Sequence, residues 1–109
     1  MGDRANVLVK DDLLDRGVFL YTHWEGYKLP KVLKEALIRG RGRWNDTSYL
    51  TRIIFCEMVK GKELEETGFG ISTSEYDYDN NNPLITIDVE KQTVERDGEI
   101  SSFEEYTQI

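Results

Sequence analysis

Three arginines and a tryptophan lie close together in the stretch IRGRGRWND, residues 38–46. Arg39, Arg41 and Arg43 alternate with glycines, and Trp44 follows them. A guanidinium group holds phosphate or carboxylate through paired hydrogen bonds, and an indole ring stacks on bases and on cations. These four residues are therefore a candidate site for a small anion such as a nucleotide.

Two other interpretations of this arginine stretch stay open. Arginine–glycine sequences with an aromatic residue also contact single-stranded nucleic acid, but the formal net charge of −7 opposes general nucleic-acid affinity. Alternatively, the stretch is a structural loop between two helices. Its arginines would then pair with acidic residues of the carboxyl half, and Trp44 would plug the core.

Charge is distributed unevenly along the chain. From Lys28 to Arg52 there are seven basic and two acidic residues, whereas from Glu63 to Ile109 there are thirteen acidic and two basic residues. Within the acidic part, residues 74–83 alternate tyrosines with acids, a composition that suits contact with a basic protein surface. The predicted partner-binding residues are Glu75, Tyr76, Asp77, Tyr78 and Asp79.

The same acidic segment has a weak similarity to a calcium-binding loop. Asp77, Asp79 and Asn81 fall at its first, third and fifth positions, but Asn82 stands where glycine is required, and no predicted helices flank the segment. His23 is the only histidine, so a histidine-based metal cluster is not available. We therefore expect no metal and no cofactor.

An enzyme is less favoured by the sequence than a binding protein. His23 could act as a general base, but no serine or cysteine has the strand–turn–helix setting of a nucleophile. Cys56 lies in the middle of a predicted helix, where an inert thiol in the core is expected. We expect His23 to have a structural, hydrogen-bonding role.

Glu57 is a further polar residue with an expected structural role. In a projection of the helix predicted over residues 47–61, at about 100° per residue, Glu57 lies within an apolar arc. A carboxylate there is costly unless it is paired or hydrogen bonded. The expected partner is Arg4 or Arg43, and the pair would join the amino-terminal hairpin to this helix.

The elements that position these residues follow from hydrophobic periodicity. Strands are predicted where apolar residues alternate, and helices where they recur every three or four positions. Pro30 suits the first turn of a helix, and Gly40 suits its end. The predicted elements are strands 5–10 and 17–24, helices 29–40 and 47–61, strands 67–73, 84–90 and 92–96, and a short helix within 101–108.

This order, ββααβββα, predicts an α+β fold in which an antiparallel sheet carries the two central helices on one face. The 109 residues, 39 % hydrophobic and with twelve aromatics, suit a single domain over residues 1–109 with one modest core. No run of eighteen apolar residues and no signal-peptide pattern occurs, and one cysteine permits no internal disulfide. We expect a soluble cytoplasmic protein without a membrane partner.

Five motifs together resemble a family of short proteins of phages, plasmids and bacterial chromosomes. They are MGDRANV (1–7), YTHWEG (21–26), RGRGRWND (39–46), YLTRIIFCEMV (49–59) and TGFGIST (67–73). The similarity covers roughly residues 1–95, and the family has no established chemistry. The resemblance implies a compact domain carried on mobile DNA, and by association an inhibitor of a system in the bacterial host.

The leading expectation is a small acidic binding protein of a phage or mobile element. It would inhibit a host defence or nucleic-acid-binding protein by occupying a basic surface. The alternative is a protein that binds or sequesters a small anion or nucleotide through the loop Arg39–Trp44. A homodimer that pairs its basic and acidic segments is a third expectation.

Overall fold

A computed structural model describes residues 2–12, 16–75 and 81–108. Its helices and strands are β1 (Ala5–Lys10), β2 (Gly17–Thr22), α1 (Leu29–Arg39), α2 (Thr47–Met58), β3 (Phe69–Ser72), β4 (Ile85–Asp88), β5 (Thr93–Arg96), β6 (Glu99–Ser102) and α3 (Phe103–Tyr106). Within these ranges the strands form one sheet in the order β3-β2-β1-β4-β5-β6. The predicted α+β class is confirmed, and the chain order matches with one strand added.

The added strand, β6, follows a turn that the sequence analysis overlooked. Asp97 and Gly98 connect β5 to β6, and both have positive φ, 55° and 85°. Two such residues form the tight turn whose twist matches that of a hairpin, and Asp-Gly is a favoured sequence for it. The turn brings Arg96 opposite Glu99 and extends the sheet by one strand.

The sheet is mixed, which corrects the expectation that it is wholly antiparallel. β4 pairs with β1 in parallel register, with Val7 opposite Ile85 and Val9 opposite Ile87, whereas the other four strand pairs are antiparallel. This placement puts two apolar strands in the middle of the sheet, where both can be covered by helices. The isoleucines of β4 are at most 2 % exposed as a result.

The two long helices pack on one face of the sheet and enclose the core. Apolar side chains of β1, β2 and β4 point to that face and meet the apolar stripes of α1 and α2. The stripe of α1 consists of four buried residues, Leu29, Leu33, Ala36 and Leu37. The central side chains of this core are Val7, Val9, Leu20, Leu33, Leu37, Leu50, Ile54, Ile85 and Ile87.

The second helix is buried on one side only. Asp46 caps it, because its Oδ1 accepts a hydrogen bond from the Tyr49 amide at 3.1 Å. Leu50 and Ile54 are fully buried, but Cys56 is exposed, so the prediction of a core thiol is wrong. The helix meets α1 and the sheet along one stripe, which leaves its opposite side in solvent even where the sequence is apolar.

The final helix is short and is defined by its cap. Ser102 and Glu105 form a capping box, in which each side chain accepts a hydrogen bond from the backbone amide of the other residue. The cap fixes the direction of α3, so that Phe103 enters the core with no exposed surface. In the described ranges, none of the helices is long and apolar enough to cross a membrane.

Candidate functional site

A cavity lies on the sheet face opposite α1 and α2, beside strands β2 and β3. Side chains of the two strands alternate between faces, so Tyr21 and Phe19 point away from the helices. The cavity has a volume of about 640 Å³. We call it the aromatic pocket, and its main lining residues are Tyr21, His23, Trp24, Glu66, Gly68 and Phe69.

The beginning of the chain is bound to one end of this pocket through Asp3. The Asp3 amide donates to the His23 carbonyl at 2.7 Å, and its own carbonyl accepts from the Gly26 amide at 2.8 Å. The two carboxylate oxygens accept from the Tyr27 amide and the Asn82 side chain, each at 2.7 Å. The motifs MGDRANV and YTHWEG are therefore parts of one hydrogen-bonded junction.

Another of these motifs, TGFGIST, is hydrogen bonded to the same junction through its backbone. The His23 amide donates to the Gly68 carbonyl at 2.9 Å, just before β3 pairs with β2. A Cβ atom on Gly68 would lie 3.5 Å from the indole of Trp24, and the glycine has a φ of 101°. Three of the five motifs that carry the resemblance thus meet at the aromatic pocket.

His23 is held in place by its neighbours on β2 and by the amino terminus. Its Nδ1 lies 2.7 Å from the Tyr21 hydroxyl, and its ring packs edge-on against Trp24 at a centroid distance of 4.2 Å. When the phenol donates to Nδ1, the proton of the neutral imidazole lies on Nε2. The contacts are those of a positioned, hydrogen-bonded histidine that fixes the indole at the pocket wall.

The sequence alone does not indicate that Tyr21, Trp24, Glu66 and Phe69 line one pocket. They are spread over 49 positions, and only the pairing of β2 with β3 brings them together. The signal that could have identified them is the pair of glycines in TGFGIST, which leaves space above the sheet beside an aromatic strand.

The arginine stretch lies away from this pocket, between α1 and α2, and Arg41 is engaged on two sides. Its Nη1 donates to both oxygens of Glu104, at 3.1 and 3.0 Å, and its guanidinium lies 4.5 Å from the Trp44 ring centroid. The Trp44 indole donates to the Leu37 carbonyl at 2.9 Å and packs edge-on against Phe103. This part of the stretch joins the interhelix loop to α3.

The other two arginines of the stretch also have acidic partners. Arg39 pairs with Glu57 at 3.0 Å, and Arg43 lies 3.9 Å from Asp46 and over the ring of Tyr49. An anion could therefore bind Arg39, Arg41 and Arg43 only in competition with carboxylates of the same chain. These contacts are the ones expected if the arginine stretch is a structural loop between the two helices.

Glu57 is buried and paired, but its partner differs from the expected one. Its carboxylate lies 3.0 Å from Arg39 and 3.8 Å from Lys60, and not against Arg4 or Arg43. Arg39 is in the last turn of α1, beside α2, so the pair joins the two helices rather than the amino-terminal hairpin to α2. The backbone of Arg4 instead contacts residue 81, at the junction around Asp3.

We expect Glu57→Gln to lower the free energy of unfolding by about 0.5–1.5 kcal/mol, since one charged hydrogen bond becomes a neutral one. Glu57→Ala should cost more, about 1–3 kcal/mol, because the buried stem of the side chain is lost as well. Urea unfolding measures both values, with the exposed Glu65→Gln as control. Equal stability of all three variants and the parent would contradict a stabilising Arg39–Glu57 pair.

The acidic half presents many carboxylates to solvent. Of the predicted partner-binding residues, Glu75 is exposed, and Tyr76, Asp77, Tyr78 and Asp79 lie outside the described residues. Within the described part of this half, nine exposed carboxylates have no ion pair. They are Glu63, Glu65, Glu66, Glu75, Glu90, Glu95, Asp97, Glu99 and Glu105.

No metal centre emerges from the described residues, where no group of three or more histidine, cysteine, aspartate or glutamate side chains could hold an ion. Comparison of the chain with protein-family models, with curated proteins and with solved structures finds no match in any of the three. The contacts and charges of the chain itself are therefore the evidence for its function.

Proposed function

We propose that the protein is a small acidic binding protein that occupies a basic surface of another protein. The observation that carries this proposal is that the arginines of residues 38–46 are paired within the chain, whereas most exposed acids of the carboxyl half are not. Arg39, Arg41 and Arg43 are each paired with a carboxylate of the chain. Apart from Glu104, which pairs with Arg41, the exposed acids of the carboxyl half have no ion pair among the described residues. The surface that the carboxyl half offers to a partner is therefore mainly negative.

Such a surface selects its partner by charge. It attracts basic protein surfaces at long range and repels the phosphate backbone of nucleic acids. A protein that itself binds nucleic acid has a suitable basic surface, and covering that surface would inhibit it. With the resemblance to proteins of mobile elements as support, the proposed partner is a defence or nucleic-acid-binding protein in the cytoplasm of a bacterial host.

The same contacts give less support to the other two expectations. A nucleotide at the arginine stretch would have to displace Glu57, Glu104 or Asp46. A homodimer that pairs the basic and acidic segments could use Lys28, Lys31 and Arg52, which are exposed, but not the paired arginines without breaking their contacts. Among the described residues, no contact favours either arrangement.

The proposal predicts that charge reversal in the acidic segment abolishes partner binding. In Glu75→Lys/Asp77→Lys/Asp79→Lys, a basic surface would meet like charge, and we expect at least a tenfold loss of captured partner in affinity purification from the native host. Mass spectrometry of the bound proteins, at matched bait amounts, measures the loss.

The control is Glu35→Lys/Glu90→Lys/Glu99→Lys, which changes the net charge equally at exposed carboxylates outside residues 74–83. It should retain the partner with a moderate change in affinity. A partner list that is identical for the parent and both triple variants would refute the acidic segment as the docking surface.

A further inference from the structure

We propose that the aromatic pocket receives an arginine side chain of the basic partner. This inference rests on the proposed function and adds the group that the protein recognises and the place where it binds. The pocket is suitable in three respects: the aromatic surfaces of its walls, the charge at its rim and the space between β2 and the residues that lead into β3.

The first respect is the orientation of the aromatic walls. Trp24 keeps 53 % of its surface exposed, while His23 and Gly68 support its ring from the protein side. Tyr21 and Phe69 line the same cavity from β2 and β3. A cation is attracted to the face of an aromatic ring, most strongly to that of tryptophan. A ring already fixed by its neighbours loses little freedom when a cation binds.

The second respect is the charge of the pocket. Glu66 lines it, is exposed and has no ion pair among the described residues. The nearby Glu25 is unavailable, because Lys62 donates a hydrogen bond to it, and this contact raises the pKa of Lys62 above its ordinary value. Of the described lining residues, none is lysine or arginine. Over the part of its lining that the structure describes, the pocket therefore has one carboxylate without an ion pair and no lysine or arginine that would compete for it.

The third respect is shape, which favours arginine over lysine. A guanidinium is planar, so it can stack on an indole and at the same time donate two hydrogen bonds to one carboxylate. Trp24 and Glu66 line the same cavity and are the ring and the carboxylate that this combination requires, and a volume of about 640 Å³ has room for the side chain with part of its backbone. The compact ammonium of lysine would satisfy the charge of Glu66 but not the stacking.

The test uses hexa-arginine and hexa-lysine peptides as defined probes of the full chain, by calorimetry and by amide chemical shifts at low salt. We expect hexa-arginine to bind several-fold more tightly than hexa-lysine. The indole N–H signal of Trp24 and the amides of Gly68 and Gly70 should move. The indole signal of Trp44 should not move, since it is bonded to the Leu37 carbonyl.

Two pairs of variants locate the binding. Trp24→Ala should weaken hexa-arginine binding about tenfold, and Trp24→Phe much less, because the aromatic surface is retained. Glu66→Gln should weaken it several-fold, whereas Glu65→Gln, which has the same change in charge at a neighbouring exposed residue outside the pocket, should not. Circular dichroism checks that Trp24→Ala is folded. If Trp24→Ala does not fold, Glu66→Gln still tests the pocket.

The possible results separate this inference from the proposed function. If hexa-arginine does not bind, or binds equally to the parent, Trp24→Phe, Glu66→Gln and Glu65→Gln, the pocket does not recognise arginine. Partner capture that is lost on charge reversal of the acidic segment would still support the proposed function. A third result is that hexa-arginine binding depends on Trp24 and Glu66 while charge reversal of the acidic segment does not change partner capture. The pocket, and not the acidic segment, would then be the docking surface.

Discussion

Gly26→Ala is expected to lower the free energy of unfolding by about 2–4 kcal/mol, from overpacking together with weakened hydrogen bonds. A Cβ atom at this position would overlap the side-chain nitrogen of Asn82 and lie 2.6 Å from the Asp3 carbonyl oxygen. That oxygen accepts the hydrogen bond of the Gly26 amide. The substitution therefore displaces the junction that holds the amino terminus, and with it the support of His23.

Gly42→Ala is the matched control for this prediction. A Cβ atom there would meet nothing within 4 Å, and Gly42 lies in a short helical turn where alanine is allowed. It should leave stability unchanged or raise it by about 0.4–1 kcal/mol, through the smaller freedom of the unfolded chain. Urea unfolding compares the two variants, and equal midpoints would show that the junction around Asp3 is not closely packed.

Phe103→Ala is expected to lower the free energy of unfolding by about 3–5 kcal/mol. The ring has no exposed surface and lies edge-on to Trp44 at a centroid distance of 5.3 Å. Its removal leaves a cavity beneath α3 and takes away the surface on which Trp44 rests. Since Arg41 lies over that indole and pairs with Glu104, we also expect the fluorescence of Trp44 to change before global unfolding.

The control for this second prediction is Leu64→Ala. Leu64 is 96 % exposed, so its truncation should change stability by no more than about 0.5 kcal/mol. Thermal and urea unfolding of both variants measure the difference. A loss below about 1 kcal/mol in Phe103→Ala would mean that α3 contributes little to the core.

Local signals predicted the elements of this protein well. The helix predicted over residues 29–40 is observed as Leu29–Arg39, with Pro30 in its first turn and Gly40 at its end. The helical phase also placed Glu57 correctly among buried residues. Such features depend on neighbours within four positions along the chain, so they can be read from the sequence before any tertiary contact is known.

Contacts between distant residues could not be predicted in this way. The parallel pairing of β1 with β4 joins strands some eighty positions apart. The prediction that Arg4 or Arg43 pairs with Glu57 was wrong, because the sequence did not distinguish these cations from Arg39. The aromatic pocket depends on the same kind of contact, since Tyr21 and Phe69 meet only through the register of β2 and β3. Each of these contacts follows from the way in which the apolar faces of the helices and the sheet are buried together.

The sequence by itself determined the net charge of −7, its division into a basic and an acidic part, and the helices and strands that carry it. Only the tertiary structure decided which charges are neutralised. Folding brings Glu57 and Glu104 to the arginine stretch, which already contains Asp46, and among the described residues it leaves Glu66 without an ion pair in the pocket that Trp24 also lines. The physical reason is that an ion pair forms over a few ångströms, and sequence order does not specify distance between elements.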